Sequence, residues 1–279
     1  MLRRLMTISG VLGLAVSPIL ADFSYQEKST VTGGAVAGML KVAGVFSKAA
    51  REPIEATVAV KGNRMAHRSS RHGSIIDLDA QAITQIDLQR KTYSAMTFDQ
   101  MKAMLEQMRQ KMKQNPNDSQ VSFQVSANRT GNRKTIGGMA AAEIILKMEM
   151  QGTDQQSGQQ GGMEIATDLW VAPAAAGYAE IRRFHRRMAE KLNWTPGGNM
   201  FLANPQVSEG MAEVYKEMSK LDGMPVFETV SMGVAGKSAG SLLEMTIEMS
   251  DFSSNPVDAS LFEVPADFKK VEPDSRRMR

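Results

Sequence analysis

The chain contains no cysteine, which excludes a disulfide framework, thiol nucleophiles and a lipidated N-terminal cysteine together. Histidine is nearly as scarce, with 3 among 279 residues, and no GxSxG elbow occurs, so there is little material for a nucleophile and its base. Aromatic residues amount to 6 %, leaving much of the packing volume to aliphatic and thioether side chains. Charge of one sign is also missing. The formal net charge is +3, but Arg3 and Arg4 lie in a segment that reads as a removable leader, after which 31 basic residues face 30 acidic ones and the net charge is +1. A nucleic-acid footprint needs a concentrated basic excess, so nucleic acid is not expected as a partner. Local excesses at Arg182, Arg183, Arg186 and Arg187 lie opposite an apolar helix face and are expected to solvate it.

What is present begins with an address. Arg3 and Arg4 precede an apolar stretch over residues 8–16, then Ser17, Pro18 and a small residue at Ala21, the pattern of a cleaved signal peptide. The stretch falls short of the ~20 residues that a lasting membrane span requires. Residues 1–21 are therefore expected to direct export to the periplasm or beyond, with any membrane contact of the mature chain at most peripheral. The remaining residues suffice for one β-rich domain over 22–272, since nothing resembling a linker divides them. A solvated basic tail over 273–279 follows.

Residues 64–96 are the most informative stretch. MAHRSS, GSIIDLD, AITQIDL and KTYSAM are short extended runs broken by polar turns, which predicts an antiparallel meander. Asp77, Asp79 and Asp87 are expected outward or in its turns. Strand alternation recurs at Val121, Phe123 and Val125, at Ile144 to Met150, at residues 165–171 and at Leu243 to Met249. With one face apolar and the other charged, these read as half-buried antiparallel strands. Breaks are expected over 128–138, 153–162 and 233–240, the second a low-complexity hairpin tip.

Three helices are expected among the strands. Thr97 and Gln100 form a capping box and Met96 with Met101 a hydrophobic staple; Met101, Met104, Leu105, Met108 and Met112 then recur at helical spacing until Pro116. A second helix follows Pro173, with Tyr178, Ile181, Phe184, Met188 and Leu192 inward. A third starts at Ser208 and stops at Gly223. Residues 32–50, rich in Gly and Ala, are either a fourth helix or an insertion.

Motifs for chemistry are weak. Residues 235–238 end like a phosphate loop, but Ser231 stands where its first glycine belongs and a strand pattern follows, so a hairpin turn is expected. His67 and His72 match no zinc spacing and are expected to be solvated; no metal and no cofactor is expected. Two carboxylates cannot be shown to converge from spacing alone.

The opening Phe23-Ser-Tyr-Gln-Glu, the IIDLD and AITQIDL runs, KTIGGMAAAEIILKM, ATDLWVAP, GMPVFETVSM and the closing DASLFEVPADFKKV together resemble an exported bacterial family similar to the lipoprotein carrier LolA. The likeness covers most of residues 22–272, and its most specific piece is residues 261–265, LFEVP. It implies an α+β, mostly β fold: a strongly curved antiparallel sheet, an incomplete barrel, with about three helices over its concave apolar face and a last strand at 261–264. Many relatives carry a cysteine where this chain has Ala140 to Ala142, so any thiol role is absent here.

Methionine is the compositional oddity, at 22 residues. Thioether side chains fill irregular cores, adapt to varied hydrophobic ligands, and can hold Cu(I). On the first reading the methionines simply pack. On the second, Ile76, Leu78, Ile86, Leu88, Met101, Met104, Met108, Met148, Met150, Met245 and Met249 line an apolar concavity. Two functions follow. One is a monomeric, non-enzymatic envelope protein sheltering a lipid, an acyl chain or a lipidated protein segment. The other is an exported assembly protein with a filled core and no small ligand.

Overall fold

The computed structural model describes residues 22–35, 52–113, 120–153, 160–192, 223–235 and 241–273. The expected leader, most of 32–50, the helix from Ser208 and the tail beyond 273 lie outside these residues. In chain order the strands are β1 (Phe23–Gly33), β2 (Ile54–Lys61), β3 (Arg64–Ser69), β4 (His72–Asp77), β5 (Ala82–Asp87) and β6 (Thr92–Thr97). Helix α1 (Phe98–Lys113) comes next, then β7 (Gln120–Ile136), β8 (Met139–Thr153), β9 (Gln160–Ala172), helix α2 (Ala179–Leu192), β10 (Met224–Val234), β11 (Leu243–Ser253) and β12 (Lys269–Lys270). They form one sheet in the order β12-β6-β5-β4-β3-β2-β1-β11-β10-β9-β8-β7. Every neighbouring pair is antiparallel except β12 with β6. β12 and β7 are its edges, so the sheet does not close. The fold is α+β and mostly β, with two α-helices rather than three among the described residues; neither is long and apolar enough to cross a membrane.

The meander forms because its turns are written locally, and twice. Residues 76–81, IDLDAQ, and 86–91, IDLQRK, make the same four-residue connection. Asp77 Oδ1 accepts from the Asp79 and Ala80 amides at 2.9 and 2.8 Å, and Asp87 Oδ1 accepts from the Arg90 amide at 2.9 Å. Each turn ends on a left-handed residue, Gln81 or Lys91. These carboxylates are turn formers, the role short Asp side chains play by mimicking a backbone acceptor.

Helix α1 starts where its sequence dictates. The Gln100 amide donates to Thr97 Oγ1 at 3.1 Å, and Gln100 Oε1 accepts from the Thr97 amide at 2.9 Å, so two otherwise orphan donors are satisfied reciprocally. Met96 and Met101 meet in the same core, as a staple requires. In α2, Ile181, Phe184 and Met188 are buried. Its arginines are not uniformly solvent-facing: Arg183 pairs with Glu180 at 2.9 Å, and Arg187 Nη1 donates to Asn63 Oδ1 in the β2–β3 turn.

Both helices lie over one face of β1–β6. Across those strands the register aligns Phe23, Val60, Met65, Ile76, Ile83 and Met96 in a single row. That row packs against Leu78, Phe98, Met101, Ile181, Phe184 and Met188 to make the main core. A smaller cluster on the other face joins Ala59 and Ala66 to Val257 and Phe262.

Three expectations need correction. Residues 128–136 are not a break: β7 runs on to Ile136 by pairing with β8, absorbing the extra residues in a bulge where Gly131 takes a φ of +84°. The expected tip over 153–162 is shorter, because Thr153 still pairs with Gln160 and both strands continue to that point. Residues 261–264 are not a strand. Ala259–Phe262 is a 3-10 turn capped by Asp258, whose carboxylate accepts from the Ser260 amide at 2.9 Å. Its purpose is packing: the turn presses Phe262 onto Ala59 and Ala66, and Arg68 Nε donates to the Leu261 carbonyl at 3.0 Å.

Candidate functional site

The residues expected to line one concavity fall into separate places. Ile76 and Leu78 belong to the main core with Met101; Leu78 sits in the β4–β5 turn and is fully buried. They are packing residues. Ile86 lies on the opposite face, a correction with a geometric cause. Ile76 opposes Ile83 and Ile86 opposes Gly73, so the two IDL tripeptides enter adjacent antiparallel strands with their isoleucines pointing to opposite sides. Leu88 is half-buried in the β5–β6 turn, its amide donating to the Arg71 carbonyl at 2.9 Å. Met104 is half-buried on α1, and the side chain of Met108 lies outside the described residues.

The other four methionines do come together. By register, Met148 and Met150 on β8, Met245 and Met249 on β11, and two not anticipated, Met163 on β9 and Met232 on β10, share the face that α1 and α2 cover over β1–β6. Between them on that face lie Ile144, Leu146, Ile165, Leu169, Val230, Leu243 and Ile247. Met148 is buried and the other five methionines are half-buried. Of this set, Ile144, Leu146 and Leu169 cluster with Val171, and among the described side chains none of α1 or α2 joins that cluster. At one end, Val31, Ile54 and Val234 continue the same face and are exposed at 42, 60 and 38 %. Solitary exposed aliphatics are ordinary, but three on one continuous face form an apolar rim.

Where the helix-covered half meets the methionine half, the face turns polar. Glu27 on β1 and Glu228 on β10 both point to it, flanking β11 at Met249 and Ile247. His67 Nε2 lies 3.7 Å from Glu27 Oε1, and Ser29 Oγ donates to that oxygen at 3.3 Å. Tyr25 and Tyr178 adjoin them within an aromatic group: Tyr25 and Phe252 stand 5.8 Å apart, and Phe23 and Tyr178 meet edge-on at 5.8 Å. Burial, reinforced by the Glu27 charge, pushes the Glu228 carboxyl up to about 7 from its ordinary 4.5. Burial likewise pushes the Tyr178 phenol up to about 12 and raises the Tyr25 phenol further, helped by Glu27. Glu228 has no hydrogen bond or ion pair among the described residues, and the same holds for the Tyr25 hydroxyl. His67 is thus not merely solvated, and two carboxylates share one face with β11 between them, near enough for the charge of Glu27 to act on Glu228.

A second polar group occupies the opposite face. Thr130 Oγ1 and Asn132 Nδ2 donate to Glu143 at 2.6 and 2.7 Å, which holds that carboxyl below its ordinary range. Lys134 Nζ lies 3.8 Å from the Trp170 ring centre and 4.9 Å from that of Phe227. Burial and the neighbouring Glu143 raise the Asp168 carboxyl. Among the described residues no three or more His, Asp or Glu side chains are arranged to hold a metal ion. No family model matches the chain, and neither does any curated protein sequence.

Proposed function

We propose that the chain is an exported, non-enzymatic binding protein of the cell envelope, LolA-like in architecture, that shelters a lipid, an acyl chain or a lipidated protein segment. It acts as a monomer with at most peripheral membrane contact. The observation that carries this reading is the gathering of six methionines from β8, β9, β10 and β11 on one face. Thioether side chains re-pack around apolar partners of different shape at little cost, which suits a carrier of varied tails. Burial of apolar surface, at roughly 25 cal/mol per Å², is then the source of affinity. The apolar rim of Val31, Ile54 and Val234 gives an entrance at the end of that face.

The competing reading is an exported assembly protein. The observation favouring it is β7, a 17-residue strand whose outer edge pairs with no strand among the described residues, the kind of template on which another chain adds a strand. The Gly131 bulge interrupts that template, which is why the carrier reading is preferred.

Native mass spectrometry of protein isolated from the envelope, together with titration of a neutral polarity-sensitive fluorophore, tests the carrier. Co-purifying lipid or fluorophore uptake that is lost in Met232→Gln/Met245→Gln, with the melting temperature kept, is the expected outcome. Absence of both lipid and uptake in the wild type would exclude it.

A further inference from the structure

A largely apolar face carries two carboxylates near its middle, and that placement says what kind of head group its ligand brings. Over β1, β2 and β8–β11 the register puts no other acidic residue on this face. Glu27 and Glu228 stand with β11 between them, roughly 10 Å apart across the sheet, close enough for the charge of one to disfavour ionisation of the other unless a cation or proton compensates. On this face, the basic groups of the described residues do not supply the cation to Glu228. His67 reaches Glu27 only, and Arg182 of α2 acts on Tyr178 but makes no ion pair with Glu228, while Arg129 and Arg133 stand on β7, three strands away and so roughly 14 Å across the sheet. The half-buried Tyr25 lies close enough to Glu27, Tyr178 and Glu228 for their charges to act on its hydroxyl, which finds no hydrogen-bond partner among the described residues. Tyr25, Tyr178, Phe23 and Phe252 add aromatic surface, which attracts cations as carboxylates do.

From this juxtaposition we infer that the site takes an amphiphile with a cationic amine head group, held by Glu27, Glu228 and the Tyr25 hydroxyl, its tail lying along Met245, Val230 and Met232 toward the Val31–Val234 rim. The distance fits: Glu228 to Val234 is six residues of strand, or roughly 20 Å, comparable to a long alkyl chain. The inference rests on the carrier reading, because without an apolar ligand there is no head group to place. It goes beyond that reading by fixing the sign of the head group and the residues that meet it.

The test is isothermal titration at pH 8 of the intact protein with dodecylamine and with laurate, each below its micelle concentration, against wild type, Glu27→Gln, Glu228→Gln and the double variant. Circular dichroism and melting temperature check that each variant is folded. Wild type is expected to bind the amine roughly tenfold or more tightly than the carboxylate, since opposite and like charges act in an enclosed site. The double variant is expected to bring the two affinities together. The wild-type comparison stands even if a variant fails to fold. Equal affinities, or tighter binding of laurate, would overturn the head-group inference and leave the carrier intact. A preference for the amine that survives in the folded double variant would overturn the assignment to these two carboxylates. Binding of neither amphiphile would overturn the carrier and the inference together.

Discussion

Replacing Glu228 by Gln should make the protein more stable, by an amount that grows as the pH rises above about 4.5 and is complete above about 7. The carboxyl is lifted from 4.5 to about 7 in the folded chain. Because an acid with a raised folded pKa binds its proton more tightly when folded, the native state is favoured by low pH. Below about 4.5 the group is protonated in both states and costs nothing. Between 4.5 and about 7 the unfolded chain has released the proton while the folded chain retains it, so stability falls as pH rises; above 7 the full penalty is present. The shift corresponds to roughly 3 kcal/mol at about 1.36 kcal/mol per pH unit. A buried amide still lacks full hydrogen bonding, so the expected gain for Glu228→Gln is about 1–2 kcal/mol at pH 8 and about zero at pH 4. Urea denaturation followed by far-ultraviolet circular dichroism at pH 4, 6 and 8 measures it, as a rise in midpoint with an unchanged slope. Glu27, whose charge is the second cause of the shift, should show coupling: in a Glu27→Gln background the gain should shrink. A Glu228→Gln variant that is destabilised at pH 8, or whose difference from wild type is the same at every pH, would refute the reasoning.

Phe98→Ala should be among the most damaging single changes, since Phe98 is fully buried where α1 meets the β-meander. A loss of about 3–5 kcal/mol is expected, read as the unfolding midpoint; a loss under about 1 kcal/mol would contradict its place in the core. Thr97→Ala removes the acceptor for the Gln100 amide and should cost about 1 kcal/mol while leaving the native circular dichroism intact. A neutral result there would mean that the helix start is held by packing alone.

The meander and the start of α1 were legible because their causes are local. Thr97 and Gln100 need only each other, and the two IDL turns need only an aspartate and an amide three residues on, joined in the first turn by the amide two residues on. Where the cause is distant, the reading failed. Residues 128–136 carry the Asn, Gly and Arg of a loop, yet they extend because β8 offers a partner strand. Phe262 looks like a strand residue until the small side chains of Ala59 and Ala66 open a seat for it. The IDL isoleucines read alike and face apart, because each hairpin reverses which residues share a side. Glu27 and Glu228 are 201 positions apart, and only the strand order β1-β11-β10 brings them to one place.

The distribution of side-chain types along the helix-covered face gives the carboxylates their meaning. Over β1–β6 the core is fixed by Phe23, Phe98 and Phe184 together with Leu78 and Val60, large and fully buried groups with few rotamers to exchange. Over β8–β11 the same face carries no aromatic residue among 144–150, 163–169, 228–232 and 243–249, and six methionines instead. A protein that needed only a second packed half would gain from rigid branched side chains there, since methionine loses more rotamer freedom on burial than leucine or isoleucine does. Thioether side chains at these positions give up specificity of packing for adaptability. Glu228 compounds that choice, because its charge works against the fold at neutral pH. Groups that weaken the fold and stand together on one face are what a binding surface requires and what a core does not. Under the proposed carrier function, the seam between the two halves is accordingly where a ligand's head group belongs, with its tail on the adaptable side.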